Sequence, residues 1–150
     1  MKKFLILCFT FIMGFCLAAC SGSGGNVQNV KTHEVDSALY SKKEINSAID
    51  TIKSEFKKDW KGCTLTEIYY AGDSVSKEHQ EWADRYNADE TIVLLSSFDV
   101  DSSGGNGSLN PNSTYDGWNW ILVRKEGEGW VHVDHGYYAI PAYRKKGFIC

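Results

Sequence analysis

Proline is almost missing from this 150-residue chain: Pro111 and Pro141 are the only two. With 14 glycines beside them and 13% aromatic residues, that rules against a disordered polymer and favours one α+β domain with a flexible part. Cysteine is scarce as well. Of five, Cys8, Cys16 and Cys20 lie in the first twenty residues, leaving Cys63 and Cys150. Two thiols make no disulfide framework. They could pair outside the cytoplasm; a buried small residue at Cys63 and a free terminal Cys150 is the preferred alternative. There is no Cys-x-x-Cys, His-Glu-x-x-His, Gly-x-Ser-x-Gly or phosphate-binding glycine loop. Redox, zinc-peptidase, hydrolase and nucleotide chemistries lose their usual sequence support, and no cofactor is expected. No basic block is present to suggest nucleic acid, and no internal repeat is found.

What is present starts with a leader. Met1-Lys2-Lys3 is a basic start, and Phe4 to Phe15 is apolar except for Thr10 and Gly14. This run is shorter than the ~20 residues that cross hydrocarbon, so a secretory signal fits better than a membrane helix. Leu17-Ala18-Ala19-Cys20 follows, and it resembles the lipobox of bacterial exported lipoproteins. The resemblance implies that the Cys20 thiol is diacylglycerated and that cleavage leaves Cys20 first. It also implies a home on the extracytoplasmic face of the cell membrane, with the lipid bilayer as partner. Removing residues 1–19 takes Lys2 and Lys3 from the 16 basic residues and no acid, leaving 14 against 19, net −5. A domain of that charge gains little from anionic headgroups, so acyl chains must hold it.

Ser21-Gly22-Ser23-Gly24-Gly25-Asn26 opens a flexible tether by composition, with no helical or strand period up to about Asp36. About 19 such residues would reach roughly 25 Å. The expected division is 1–19 leader, 20–39 lipidated cysteine and tether, 40–137 folded domain and 138–150 tail. Ser41-Lys42-Lys43-Glu44 fits a capping box, with Tyr40 positioned to staple onto Ile45. Ile45, Ala48, Ile49, Ile52 and Phe56 make one helical stripe, ended near Gly62. Thr64 to Tyr70 reads as a strand, Ser76 to Tyr86 as a single shorter helix, and Thr91 to Val100 as a central strand apolar on both faces.

Trp118 to Arg124 and Trp130 to Asp134, joined by Lys125-Glu126-Gly127-Glu128-Gly129, read as a β-hairpin. An even loop, two residues with Lys125 across from Glu128, puts Trp118, Trp120 and Leu122 on one face with Val131, Val133 and His135. Asn119, Ile121, Val123, Trp130, His132 and Asp134 then share the other. An odd loop would exchange the partner sets.

The expected fold is α+β, an antiparallel sheet of about four strands curled around the N-terminal helix. The order of elements resembles the NTF2-like/cystatin-like roll. Gly62-Cys63-Thr64-Leu65, Asn110-Pro111-Asn112-Ser113-Thr114-Tyr115, Trp118 to Arg124 and Gly136-Tyr137 are similar to small exported bacterial lipoproteins of unassigned function. The resemblance spans about Tyr40 to Tyr137 and implies no agreed active site. The Gln-x-Val-x-Gly loop of inhibitory cystatins is absent.

Three candidate sites follow. A ligand or partner protein would meet the concave face around Tyr70, Tyr115, Ile121, Trp130 and His132; core packing competes for the same aromatics. His132 with Asp134 could act as base and orienter of an acid–base enzyme, set against two polar residues at the solvated end of a strand. Asp99, Asp101 and Ser103, with Gly104, resemble the opening of a calcium loop. The glutamate expected at position twelve is Asn110, and position eight is Asn106 rather than apolar, so a plain glycine-rich loop is preferred. A non-catalytic binding role is the leading expectation.

Overall fold

The computed structural model describes residues 24–137. Its elements are α1 (Lys42–Asp59), β1 (Cys63–Tyr70), α2 (Asp73–Glu78), α3 (Glu81–Arg85), β2 (Glu90–Val100), β3 (Thr114–Arg124) and β4 (Val131–Tyr137). The four strands form one antiparallel sheet in the order β1-β2-β3-β4. The chain is therefore α+β, with a helix ahead of a four-stranded sheet. No helix among the described residues is long and apolar enough to cross a membrane.

The capping box starts α1 as its spacing predicts. Glu44 N donates to Ser41 Oγ, and Ser41 N donates to Glu44 Oε2 at 2.8 Å. Ile45, Ala48, Ile49, Ile52 and Phe56 are all buried in one cluster with Leu65, Ile68, Tyr70, Ile92, Leu94, Phe98, Trp120 and Leu122 of the sheet. Each large apolar side chain buried this way stabilises the fold by about 1.5–3 kcal/mol. Val93 and Ile121 point to the opposite face, where Val75, Ala71, Trp82 and Val133 complete a smaller cluster under α2 and α3. That division explains why Thr91 to Leu95 is apolar throughout: β2 is central and covered on both sides.

β2 runs on after β1 has ended, and side chains satisfy its orphan backbone groups. Val93 N donates to Ser76 Oγ at 3.1 Å, and the Tyr40 hydroxyl donates to Thr91 O at 2.8 Å. Both bonds are buried, where an unpaired group would cost about 1–3 kcal/mol.

Three expectations are corrected. The helix expected over Ser76 to Tyr86 starts earlier and splits in two. His79 leaves helical geometry (φ −110°, ψ 15°), and its Nδ1 lies 2.8 Å from Val75 O. Glu128 N bonds to Lys125 O with Gly127 at φ 78°, yet the ladder closes on Val123 with Val131, so the register at the turn is that of an odd loop rather than the expected even one. Leu122 pairs with His132, while farther from the turn Ile121 pairs with Asp134 and Trp120 with His135. Two residues of β4, Val133 and Asp134, thus stand against Ile121, and this bulge restores the even partner set only beyond it, leaving the odd set nearer the turn. His132 and Trp130 move to the α1 face. Val131, expected inside, is 58% exposed.

The third correction concerns the tether. Residues from Gly24 onward are not a free linker. Asn26 and Lys31 bridge in parallel to Thr64 and Glu67, with Asn26 N to Cys63 O, Leu65 N to Asn26 O, Lys31 N to Thr66 O and Ile68 N to Lys31 O all at 2.9 Å. Val27, Val30 and Val35 pack on the core. An open edge strand presents unpaired amides, and this segment covers them. The two glycines are there for closeness. A Cβ on Gly24 would lie 1.7 Å from Lys57 O, and one on Gly25 2.6 Å from the Phe56 ring. Residues 24–39 are thus part of the folded unit, which was expected to start at Tyr40. Cys20, the 1–19 leader and the 138–150 tail lie outside the described residues.

Candidate functional site

Where α1 ends, the chain builds a pocket of about 410 Å³. Trp60 and Lys61 form one side, Gly105, Asn106, Ser108 and Leu109 the second, and Trp118 and His135 the third, with Cys63 and Asp59 also lining it. Trp60 extends the α1 stripe by one more step of four from Phe56 and stacks on that ring, centroids 5.2 Å apart. It meets Trp120 edge-on at 4.9 Å and His135 at 5.3 Å. The loop after β2 is folded over by Gly104 (φ 70°) and Gly105 (φ 67°). A Cβ on Gly104 would sit 2.8 Å from Leu109 O, so that loop could not close with a larger residue there.

Behind the pocket wall runs a chain of polar groups. His132 Nδ1 is 2.5 Å from Glu55 Oε2, and His132 Nε2 is 3.2 Å from His135 Nδ1 and 3.1 Å from the Asp134 carbonyl. The Glu55 carboxylate accepts, so His132 Nδ1 carries a proton. A proton on His135 Nδ1 can then be donated to His132 Nε2, or one on His132 Nε2 donated to the Asp134 carbonyl. The chain links the pocket wall to α1.

Burial holds the His135 pKa below the ordinary imidazole value; His132 adds to this, while Asp134 and Glu55 oppose it. The folded state therefore prefers neutral His135, and the unfolded chain takes up the proton more readily. The contribution of His135 is complete above the ordinary imidazole pKa and is lost as pH falls below it. Melting temperatures from pH 7.5 to 5.5 should drop more steeply for the wild type than for His135→Gln. Parallel profiles would show that His135 is not held in this way.

The residues proposed from sequence do not form one surface. Tyr70, Tyr115 and Trp130 are buried in the α1-side core, and Ile121 is buried on the opposite face. The Tyr70 hydroxyl donates to Asp73 Oδ1 at 2.9 Å, and burial pushes its pKa up to about 12. Trp130 Nε1 donates to Glu44 O at 3.0 Å. Filling the core uses these rings, so the expected aromatic groove is not built from them. Asp134 pairs across from Ile121, away from the His132 ring, because of the bulge; Glu55 stands where an orienting carboxylate was expected from Asp134.

The calcium candidates serve their own turn. Asp99 Oδ1 accepts from Thr114 Oγ1 at 2.6 Å, and Asp101 Oδ1 accepts from Ser103 N at 2.8 Å and Ser103 Oγ at 2.5 Å. Among the described residues no group of three or more His, Cys, Asp or Glu is placed to hold a metal ion. Cys63 is buried, and burial with the nearby Asp101 charge raises its thiol pKa, which makes it a poor nucleophile. Cys150 lies outside the described residues.

Sequence reasoning gave no site role to Trp60, Glu55 or His135, although it set His135 on the hairpin face with Trp118. Trp60 left a signal too, as the next step of the apolar stripe; Glu55 meets the site only through the sheet register. No known protein family, curated protein or solved structure matches this chain.

Proposed function

We propose that this chain is a lipid-anchored protein of the extracytoplasmic face of the cell membrane, with a roll of the NTF2-like/cystatin-like kind that binds a small ligand or a partner protein without catalysis. The leader and Leu17-Ala18-Ala19-Cys20 support the anchor. The helix packed on one face of a four-stranded meander supports the kinship of fold.

The observation that carries the binding role is the 410 Å³ pocket with Trp60, Trp118 and His135 in its wall. Ligand sites are mostly apolar and aromatic, with a few polar groups that orient the guest. Here indole surface is joined by Asp59, Lys61, Asn106 and Ser108, a combination suited to a small polar molecule with a flat or ring-shaped body. Native mass spectrometry of the full protein purified from its own cells should show a reproducible adduct. Asn106→Trp narrows the pocket from an exposed loop without touching the core, and should lower adduct occupancy roughly tenfold, the equivalent of about 1.4 kcal/mol. A bare mass in the wild type, or an adduct indifferent to Asn106→Trp, would overturn the assignment.

The chain Glu55–His132–His135 favours a second reading, an acid–base enzyme in which His132 acts through His135 at the pocket wall. Turnover abolished in His132→Asn with the fold intact would put that reading first.

A further inference from the structure

The pocket, the start of the folded chain and a group of lysines meet at one end of the domain. Gly25 N bonds to Phe56 O at 3.0 Å, and Gly24 lies against the carbonyls of Lys57 and Lys58. The chain therefore leaves the domain at the C-terminal end of α1. Only Ser21, Gly22 and Ser23 separate Gly24 from Cys20. Four residue steps span at most about 14 Å when fully extended. The polar layer of a bilayer leaflet takes up about 5–7 Å of that, since a total of 40–45 Å encloses a 30 Å hydrocarbon core. An acyl group on Cys20 therefore keeps this end of the domain within about 10 Å of the headgroups even with the spacer fully extended.

Its charge suits contact. Lys57, Lys58 and Lys61 are exposed there, against Asp59, which lies 3.9 Å from Lys58 Nζ, and Asp101 near Lys61. A lysine close to an anionic membrane surface is attracted to it. The whole domain's net negative charge disfavours approach by its other faces.

We propose that the C-terminal end of α1 is a bilayer-docking surface, with Lys57, Lys58 and Lys61 on anionic phospholipid headgroups. Docking there brings Asp59, Trp60 and Lys61 at the pocket to the headgroup layer, so the ligand would be taken from the membrane surface. This rests on the acylation of Cys20 proposed above.

The test uses the full lipidated protein in vesicles of phosphatidylcholine with phosphatidylglycerol and in vesicles of phosphatidylcholine alone. Lysines are acetylated briefly and read by peptide mass spectrometry. Lys43 is the internal reference, about 21 Å away along the helix. On anionic vesicles Lys57, Lys58 and Lys61 should react roughly fivefold more slowly relative to Lys43 than they do in detergent. The slowing should weaken on neutral vesicles. An intact acyl mass on Cys20 with no slowing would overturn the docking surface alone. Absence of any acyl mass would overturn the anchor and the docking surface together.

Discussion

Replacing Trp120 with alanine is expected to remove about 3–5 kcal/mol of stability, enough to unfold much of a domain whose total is about 5–15 kcal/mol. Trp120 is fully buried in the middle of β3, with the rings of Phe56, Trp60, His132 and His135 around it. Its Nε1 donates to Ser96 Oγ at 2.8 Å, a buried bond. Alanine would leave both a cavity and a hydroxyl without its donor. Trp120→Phe keeps most of the ring volume and loses the bond, so about 1–2 kcal/mol is expected. Urea unfolding at neutral pH checks both. A loss below about 1.5 kcal/mol for the alanine variant would mean that the ring is not the keystone of the α1-side core.

The second large effect is expected at Arg124. Its guanidinium bonds to Glu44 of α1 and Glu90 of β2 and lies 4.2 Å over the Trp130 ring. The arginine is mostly covered while both carboxylates are about a third exposed, so solvent screening moderates the loss. Arg124→Met should cost about 1–2 kcal/mol at neutral pH. The pH profile separates charge from packing. The Arg124 guanidinium, then the Ser41 backbone and hydroxyl, hold the Glu44 carboxyl down at about 2. A carboxylate lowered on folding stabilises the fold above its ordinary pKa, and that stabilisation is lost as pH falls from about 4.5 to 2. The wild type should therefore lose stability more steeply than Arg124→Met over that window. Equal slopes by urea titration at several acid pH values would remove the charge argument.

How much of this could be read from residues alone depended on range. The α1 stripe and its capping box were legible because every partner lies within a few positions along the helix. The central place of β2 was legible because Thr91 to Leu95 has no polar face to give to water. The position of the turn at Glu126 and Gly127 was legible from local backbone chemistry, but the odd register that the strands take up beside it was not. The bulge at Val133 was not: nothing in Val131-His132-Val133-Asp134 announces it, and the slip is set by β3 and the helix above. The register puts the His132 ring on the α1 face beside Glu55, where its Nε2 meets the Asp134 backbone carbonyl rather than the carboxylate. The site was legible only in part: the even partner set already put Trp118 and His135 on one face of the hairpin, while Trp60 reaches them from the end of α1. Gly24 and Gly25 misled in a different way, for glycine marks freedom in composition and close contact in this fold.

The covering of β1 by residues 26–31 also sets a rule about chain length. Asn26 and Lys31 meet Thr64 and Glu67 at fixed spacing, so the N-terminal stretch obeys strand arithmetic without being a full strand. One residue added or removed between them would put later amides out of step with their acceptors and turn Val30 and Val35 away from the hydrophobic interior. The spacing from Gly24 to Lys31 is therefore set by the fold and not by the need for a linker.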